Sequence, residues 1–507
     1  MTAVQYADRG TLGNVGGAMS WSLLARAVRQ LFGIASSIII VRALGQFDYG
    51  VYALLVSILT FAAAIGRGGL TEAMLRYLPE LRVKGHGAGM RSLLWTVIRF
   101  QSVLAVVVLL LGWILRDDLA GVFRRPELAG LLAVVLGVAV FEVYFETINQ
   151  SAIALYETRT VAVSSTLASV VTLGTLVLFV AWGWGIVGVL LATAAGHICA
   201  ACLLVRKVLQ HTRAARGENS ESIRRGRLLK YAMPFLAVNV MVLITWRQSE
   251  TVFLSYYWTP VEAGLFDVAY RLPQRMLEFV PGAIYPLVMA GFSEAITKDL
   301  ASMRRGIVSY YKLLFVLVAP ISLFGALYAD RFIEVMYGPE MAASGPLCQV
   351  FFLVFMSSFF GTPLSMAIYA VEKTWVNMIF YLVSTVVIVG LDILLIPRYG
   401  LWGAVLPVAL ITVASPFARY VLAQHFVKGI KIPWGFIMRM YLASAPMALC
   451  IPLRDRLSSP GGLVALACAA AVGFYAGLRI FRVFREEERV LLEHSNLPFR
   501  HVILRLV

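Results

Sequence analysis

Fourteen apolar runs, most of them near twenty residues long, follow one another from Met19 to Arg479. A helix of about 20 apolar residues crosses the hydrocarbon layer of a bilayer, and a helix satisfies its own backbone N–H and C=O groups where no water can. The runs fall at 19–44, 49–68, 92–115, 128–156, 160–182, 185–205, 229–257, 262–291, 306–328, 345–371, 374–396, 401–426, 435–452 and 461–481. They predict an all-α polytopic membrane protein with about 14 transmembrane helices. The bulk numbers agree: 60% of the 507 residues are hydrophobic, 14% are charged and the mean hydropathy is +0.80, outside the range of soluble domains. Residues 1–17 are polar and glycine-rich, and no small-residue cleavage site follows the first apolar run, so that run reads as an anchor and not as a cleaved signal.

The net charge of +16 does not form a nucleic-acid footprint, because the cations alternate with the apolar runs. Such alternation marks cytoplasmic loops. They hold Arg76, Arg82, Lys84 and Arg91, then eight Lys or Arg between Arg206 and Lys230, then Lys298, Arg304 and Arg305. Both termini are therefore expected in the cytoplasm of a bacterial cell, with the chain in the inner membrane. The five cysteines lie in or beside apolar runs, and Cys199 and Cys202 have no second Cys or His pair, so neither a disulfide framework nor a metal site is expected.

The two halves of the chain share landmarks at an interval of 213 to 215 residues. Gly50-Val51-Tyr52 returns as Gly264-Leu265-Phe266, Arg91 as Arg305, Pro126-Glu127 as Pro339-Glu340 and Glu157 as Glu372. Trp184-Gly185-Ile186-Val187-Gly188 returns as Tyr399-Gly400-Leu401-Trp402-Gly403. Each repeat holds six runs, an even number, so both enter the membrane from the same side as parallel bundles, an arrangement used by transporters. The expected organisation is an N-lobe at 1–205, a basic linker at 206–230, a C-lobe at 231–427, two further helices at 428–484 and a cytoplasmic tail at 485–507.

A charge at mid-bilayer costs about 2.5 to 3.5 kcal/mol, so charges within the runs face protein or a wet cavity. Asp267, Arg271, Arg275 and Glu278 follow spacings of 4, 4 and 3 and share one helix face. They form either an internal ion-pair ladder or a polar stripe lining a central cavity. Arg26 and Arg29 lie one turn apart in the first run; Arg29 falls within the hydrocarbon, while Arg26 is within snorkelling reach of the headgroups. Arg247 and Glu250 lie in the seventh run. Glu142, Glu146 and Asn149 make an acidic stripe with no basic residue on the same face, open to two readings: proton coupling or hydrogen bonds between helices. Of the 44 basic residues 36 are Arg, whose planar fork grips phosphate oxygens in pairs, so the intramembrane arginines point to an anionic, phosphate-bearing ligand.

Val41-Arg42-Ala43-Leu44-Gly45, with Asp48-Tyr49-Gly50-Val51-Tyr52 and the echo from Gly264 to Arg271, resembles the polysaccharide-biosynthesis flippases of the Wzx type in the MOP superfamily, which also holds MATE exporters and the lipid II flippase. The resemblance implies export of polyprenyl-pyrophosphate-linked oligosaccharide, such as an O-antigen, exopolysaccharide or capsule repeat unit, from the cytoplasmic to the outer leaflet. It also implies two lobes around a cationic cavity. The positions that fit such a cavity are Arg26, Arg29, Arg247, Arg271 and Arg275, with Glu142, Glu146, Asp267 and Glu278 as candidate coupling carboxylates. Membrane lipids surround it, a polymerase and glycosyltransferases of the same pathway are the implied partners, and H+ or Na+ is the implied coupling ion, with no cofactor. The competing reading is a cation-coupled drug antiporter, although the first run lacks the acidic residue that MATE exporters use there. An enzyme is not expected: the longest outer loop, near 329–344, is short, and no GxxxxGK[ST], HExxH or nucleophile motif is present.

Overall fold

The computed structural model describes residues 7–84, 86–214, 223–245, 249–371, 373–454 and 459–484. Every regular element among them is helical, as backbone without water requires. The chain divides into two compact units, Met1–Gly264 and Leu265–Val507.

The first unit opens with α1 (Ala7–Arg67), whose 61 residues would extend about 90 Å at 1.5 Å per residue, far beyond one span. Gly45 breaks it with φ 73° and ψ 176°, a conformation closed to residues with a Cβ, at the gap expected between the first two runs. There follow α2 (Leu70–Val83), α3 (Gly87–Ile114), α4 (Arg116–Val122), α5 (Leu128–Ala154), α6 (Thr158–Ala181), α7 (Gly185–Ala214), α8 (Arg225–Leu243), α9 (Ser249–Tyr257) and the start of α10 (Pro260–Lys298). The second unit continues with α11 (Leu300–Tyr337), α12 (Ser344–Ala370), α13 (Thr374–Phe426), α14 (Trp434–Ser444), α15 (Ile451–Arg454) and α16 (Pro460–Ile480).

Eleven helices among the described residues are long and apolar enough to cross a membrane. Two of them, Val28–Arg67 and Trp375–Phe426, are double spans bent at Gly45 and at Gly400 (φ 55°), which brings the tally close to the expected fourteen. The sequence reading missed α2, because its charges mark a loop while its apolar residues mark a helix. Leu70, Ala73, Met74, Tyr77, Leu78 and Leu81 recur at three- and four-residue steps and are all buried in one cluster with α3 and α8 residues. The charged face stays outside, where the Lys84 ammonium holds the Glu80 carboxyl below its ordinary pKa. Arg82 donates to the Leu155 carbonyl at 2.5 Å and ties α2 to the end of α5.

The repeat is visible in the backbone of each unit taken alone. Gly185 and its counterpart Gly400 both turn through the left-handed region, at φ 53° and 55°. Arg124 (φ 54°), two residues before Pro126, and Gly338 (φ 103°), one residue before Pro339, also have positive φ ahead of the repeated Pro-Glu pairs. A Cβ on Gly188 would lie 2.9 Å from that of Phe179, and one on Gly403 would lie 2.3 Å from the Leu395 carbonyl, so each repeat closes the same hairpin on a glycine. The placement of the last two runs, which no sequence pattern fixed, is against α11. Ala319 packs with Phe436, Met440, Ala443 and Val483, the Tyr328 hydroxyl donates to the Met447 carbonyl at 2.6 Å, and Gly477 allows α16 to touch the backbone of Ala443.

Candidate functional site

Two glycines build a polar pocket in the first unit. Gly68 and Gly69 (φ 60° and 66°) turn the chain from α1 into α2, and a Cβ on Gly69 would lie 2.2 Å from the Ala232 carbonyl. Only glycine permits that approach, and it sets the first turn of α2 against α8. On the other side Gly66 lets α1 lie against Val143 of α5. Between these helices opens a cavity of about 290 Å³ lined by Arg67, Thr71, Glu72, Glu146, Gln150 and Asn239, with Leu75, Val242 and Leu243 as its apolar wall.

The polar groups hold one another in place. Asn239 donates to Glu72 Oε1 at 2.9 Å and Thr71 to Glu72 Oε2 at 2.8 Å, while the Glu72 carboxylate sits in the first turn of α2, where the helix dipole favours a negative charge. Gln150 donates to Glu146 Oε1 at 2.6 Å and Asn149 to Oε2 at 3.4 Å. Behind them, Thr147 donates to Gln101 and Gln101 to the Arg67 carbonyl, which fixes the end of α1. Glu142 meets His197 of α7 at 3.0 Å, and the imidazole stacks on Phe145 with ring centroids 4.6 Å apart. The acidic stripe thus has basic neighbours, none of them on its own helix: His197 comes from α7 and Arg67 from α1. Reading α5 alone could not reveal them.

On α10 of the second unit, Arg271 donates Nε–H to Asp267 Oδ1 at 2.6 Å and Gln274 donates to Glu278 Oε1 at 3.4 Å, so the four-residue steps do produce internal pairing. Asp267 is 4% exposed and Arg275 is half-buried. In the first unit Arg29 is half-buried on α1 and Glu250 is buried on α9. Arg247 lies outside the described residues, as does the side chain of Arg26.

The second unit also holds a cation that sequence reasoning missed. Arg419, only 7% exposed, lies on the second half of α13 with its guanidinium 4.5 Å from the centre of the Phe380 ring. Among the described residues its Nε has no hydrogen-bond partner. The missing side chain of Gly361 makes room for it, since a Cβ there would lie 3.1 Å from Arg419 Cδ. A lone Arg in the apolar run 401–426 was the available signal. Among the described residues no group of three His, Cys, Asp or Glu is placed to hold a metal ion.

The profile of the family described as "Polysaccharide biosynthesis protein" matches residues 39–345, more than half of the chain. The chain belongs to that family. No curated protein matches it. Among solved structures it is similar to a lipid II flippase MurJ in an inward closed conformation (14% identity, 90% of this chain and 98% of that one, TM-score 0.73). An inward-facing multidrug resistance MATE family transporter of the MOP superfamily is similar at 15% identity, over 80% of this chain and 98% of that one, with a TM-score of 0.62. A mutant form of the Vibrio cholerae MATE transporter VcmN gives 15% identity, 82% and 98% coverage and a TM-score of 0.56. This polysaccharide-biosynthesis family member is therefore a multi-span membrane protein with the fold of the MOP superfamily transporters.

Proposed function

We propose that this protein is a flippase that carries a polyprenyl-pyrophosphate-linked oligosaccharide across the inner membrane, from the cytoplasmic to the outer leaflet, by alternating access. The observation that carries this reading is the pocket of the first unit. Carboxylates, carboxamides, a hydroxyl and a guanidinium converge there among apolar helices, at Glu72, Glu146, Asn239, Gln150, Thr71 and Arg67. Alternating donors and acceptors of this kind match vicinal sugar hydroxyls, which offer both in pairs and can use the lone pairs and N–H groups left over by the internal bonds. The family supports the same cargo class. In this proposal the polyprenyl tail stays in lipid, the pyrophosphate is received by Arg26, Arg29, Arg247, Arg271 and Arg275, and the glycan is recognised at the pocket. Both termini face the cytoplasm, and the pathway's polymerase and glycosyltransferases act before and after it.

The test is reconstitution in liposomes with a polyprenyl-pyrophosphate oligosaccharide and an impermeant glycosidase outside. Headgroups loaded inside become cleavable at a rate that rises with the amount of protein; a rate equal to that of empty liposomes overturns the proposal. A second reading, a cation-coupled drug antiporter, draws on the Glu142–His197 pair, whose charge a proton or Na+ would alter. Drug resistance conferred by the wild type and abolished by Glu142→Gln, with no headgroup translocation, would favour it.

A further inference from the structure

A second cavity of the first unit, about 520 Å³, lies away from the pocket above, between α3 and the start of α8. Its walls include Ser92, Trp95, Thr96 and Arg99 from α3, and Arg224 and Arg225 from the chain entering α8. Three guanidinium groups and, among the described residues, no carboxylate line it. Arg224 is the N-cap of the 19-residue α8, and no side chain caps that end, so the free amides of the first turn add the positive end of the helix dipole to the same place. Every one of these features attracts an oxyanion that can accept several hydrogen bonds, which describes a phosphate.

The face of α3 around this cavity identifies the kind of phosphate. Trp95 (57% exposed) and Arg99 continue along one helix face, at steps of three and four residues, into Val103 (62%), Val106 (51%) and Leu110 (57%). An exposed aromatic at a headgroup boundary with an exposed aliphatic stripe beyond it is the surface a lipid meets. Arg99 stands about 22 Å from the far end of α3 at Ile114, counting 1.5 Å per residue; with that end at one surface of the ~30 Å hydrocarbon layer its backbone lies about 8 Å inside the other, and its guanidinium reaches the headgroups by snorkelling. A soluble phosphate would use the cations and leave the stripe unexplained. A phospholipid uses both.

We infer that this cavity binds an anionic bilayer phospholipid, with its phosphodiester among Arg99, Arg224, Arg225 and the N-terminus of α8 and its acyl chains along Val103, Val106 and Leu110. The bound lipid bridges α3 to α8 and fastens the end of the basic linker to the membrane surface. This inference does not depend on what cargo the protein carries.

The test uses the purified full-length chain in detergent, titrated with dioleoylphosphatidylglycerol or dioleoylphosphatidylcholine, with thermal stability as the readout. Phosphatidylglycerol should raise Tm at lower concentration than phosphatidylcholine, and Arg99→Gln, Arg224→Gln or Arg225→Gln should each weaken that effect roughly fivefold. Arg439→Gln, which removes a half-buried charge elsewhere, should not. Should an arginine variant fail to fold, brominated phosphatidylglycerol reads the site with all arginines in place: the quenching it causes in the wild type should fall clearly in Trp95→Phe. Equal responses to the two lipids, an undiminished phosphatidylglycerol preference in the arginine variants, or unchanged quenching in Trp95→Phe would overturn the inference. So would protection by polyprenyl pyrophosphate alone, which would make the cavity an entry point for cargo.

Discussion

Helix α5 of the first unit carries Glu142 and Glu146 where its repeat partner, α12 of the second unit, carries Met356 and Phe360. Conversely, α10 carries Asp267, Arg271, Arg275 and Glu278 where the second half of α1 carries Ala53, Ser57, Phe61 and Ala64. The two regions share the hinge at Gly185 and Gly400 (φ 53° and 55°), yet their intramembrane polar groups sit on helices that are not partners. The polar groups differ in state as well. In the first unit they line an open cavity with hydrogen-bonding capacity to spare; in the second, Arg271 is bound to Asp267 and Arg419 is packed against Phe380. A duplicated scaffold thus fixes where helices bend, while each copy is free to place its own chemistry.

That contrast can be broken by substitution. The largest effect is expected in the pocket: Arg67→Ala should reduce export of surface glycan at least roughly tenfold, as expected when a side chain that holds a polar ligand is removed from a desolvated site. Surface glycan measured in a host that depends on this protein reads it directly. Next, Arg419→Ala should destabilise the second unit by about 3 kcal/mol by emptying a packed site, whereas Arg419→Met, of similar volume and without charge, should cost much less; thermal unfolding in detergent distinguishes them. If Arg419→Met is equally damaging, the guanidinium has a role beyond packing.

A smaller effect tests the ladder. Asp267→Asn leaves Arg271 without its carboxylate and should cost about 1 kcal/mol, and the double variant Asp267→Asn with Arg271→Gln should recover part of that loss. Gly185→Ala and Gly400→Ala should each cost about 1–2 kcal/mol because both residues hold a left-handed conformation; equal losses would sharpen the claim that the hinges are one device used twice. The smallest effect concerns Asp299, which caps α11 by accepting from the Ser302 amide at 2.5 Å, a contact that holds its carboxyl below the ordinary pKa. The stabilisation from this cap should be complete above the usual aspartate pKa and disappear as pH falls through the lowered value, and Asp299→Ala should remove that acid-side dependence.

Legibility from sequence followed length scale. Apolar runs announce themselves because the bilayer sets their length, so the helices, the breaks at Gly45 and Gly400 and the repeat could be read from residue order alone. The α10 ladder was visible because its members share one helix and a four-residue step. The pocket was not, since Arg67, Glu72, Glu146 and Asn239 come from four helices and meet only because Gly66 and Gly69 let those helices approach. Sequence alone does not decide between the two readings of Glu142 for the same reason: the partner that bears on them, His197, stands 55 residues away on α7.

The most direct test of recognition at the first unit's pocket is the double variant Glu72→Ala with Asn239→Ala, which deletes one hydrogen-bonded pair from the wall and leaves the ladder of the second unit untouched. With the variant present in the membrane at wild-type abundance, surface glycan should fall close to the level of a strain lacking the protein, while polyprenyl-linked oligosaccharide accumulates inside. Wild-type surface glycan at that same abundance would contradict the assignment.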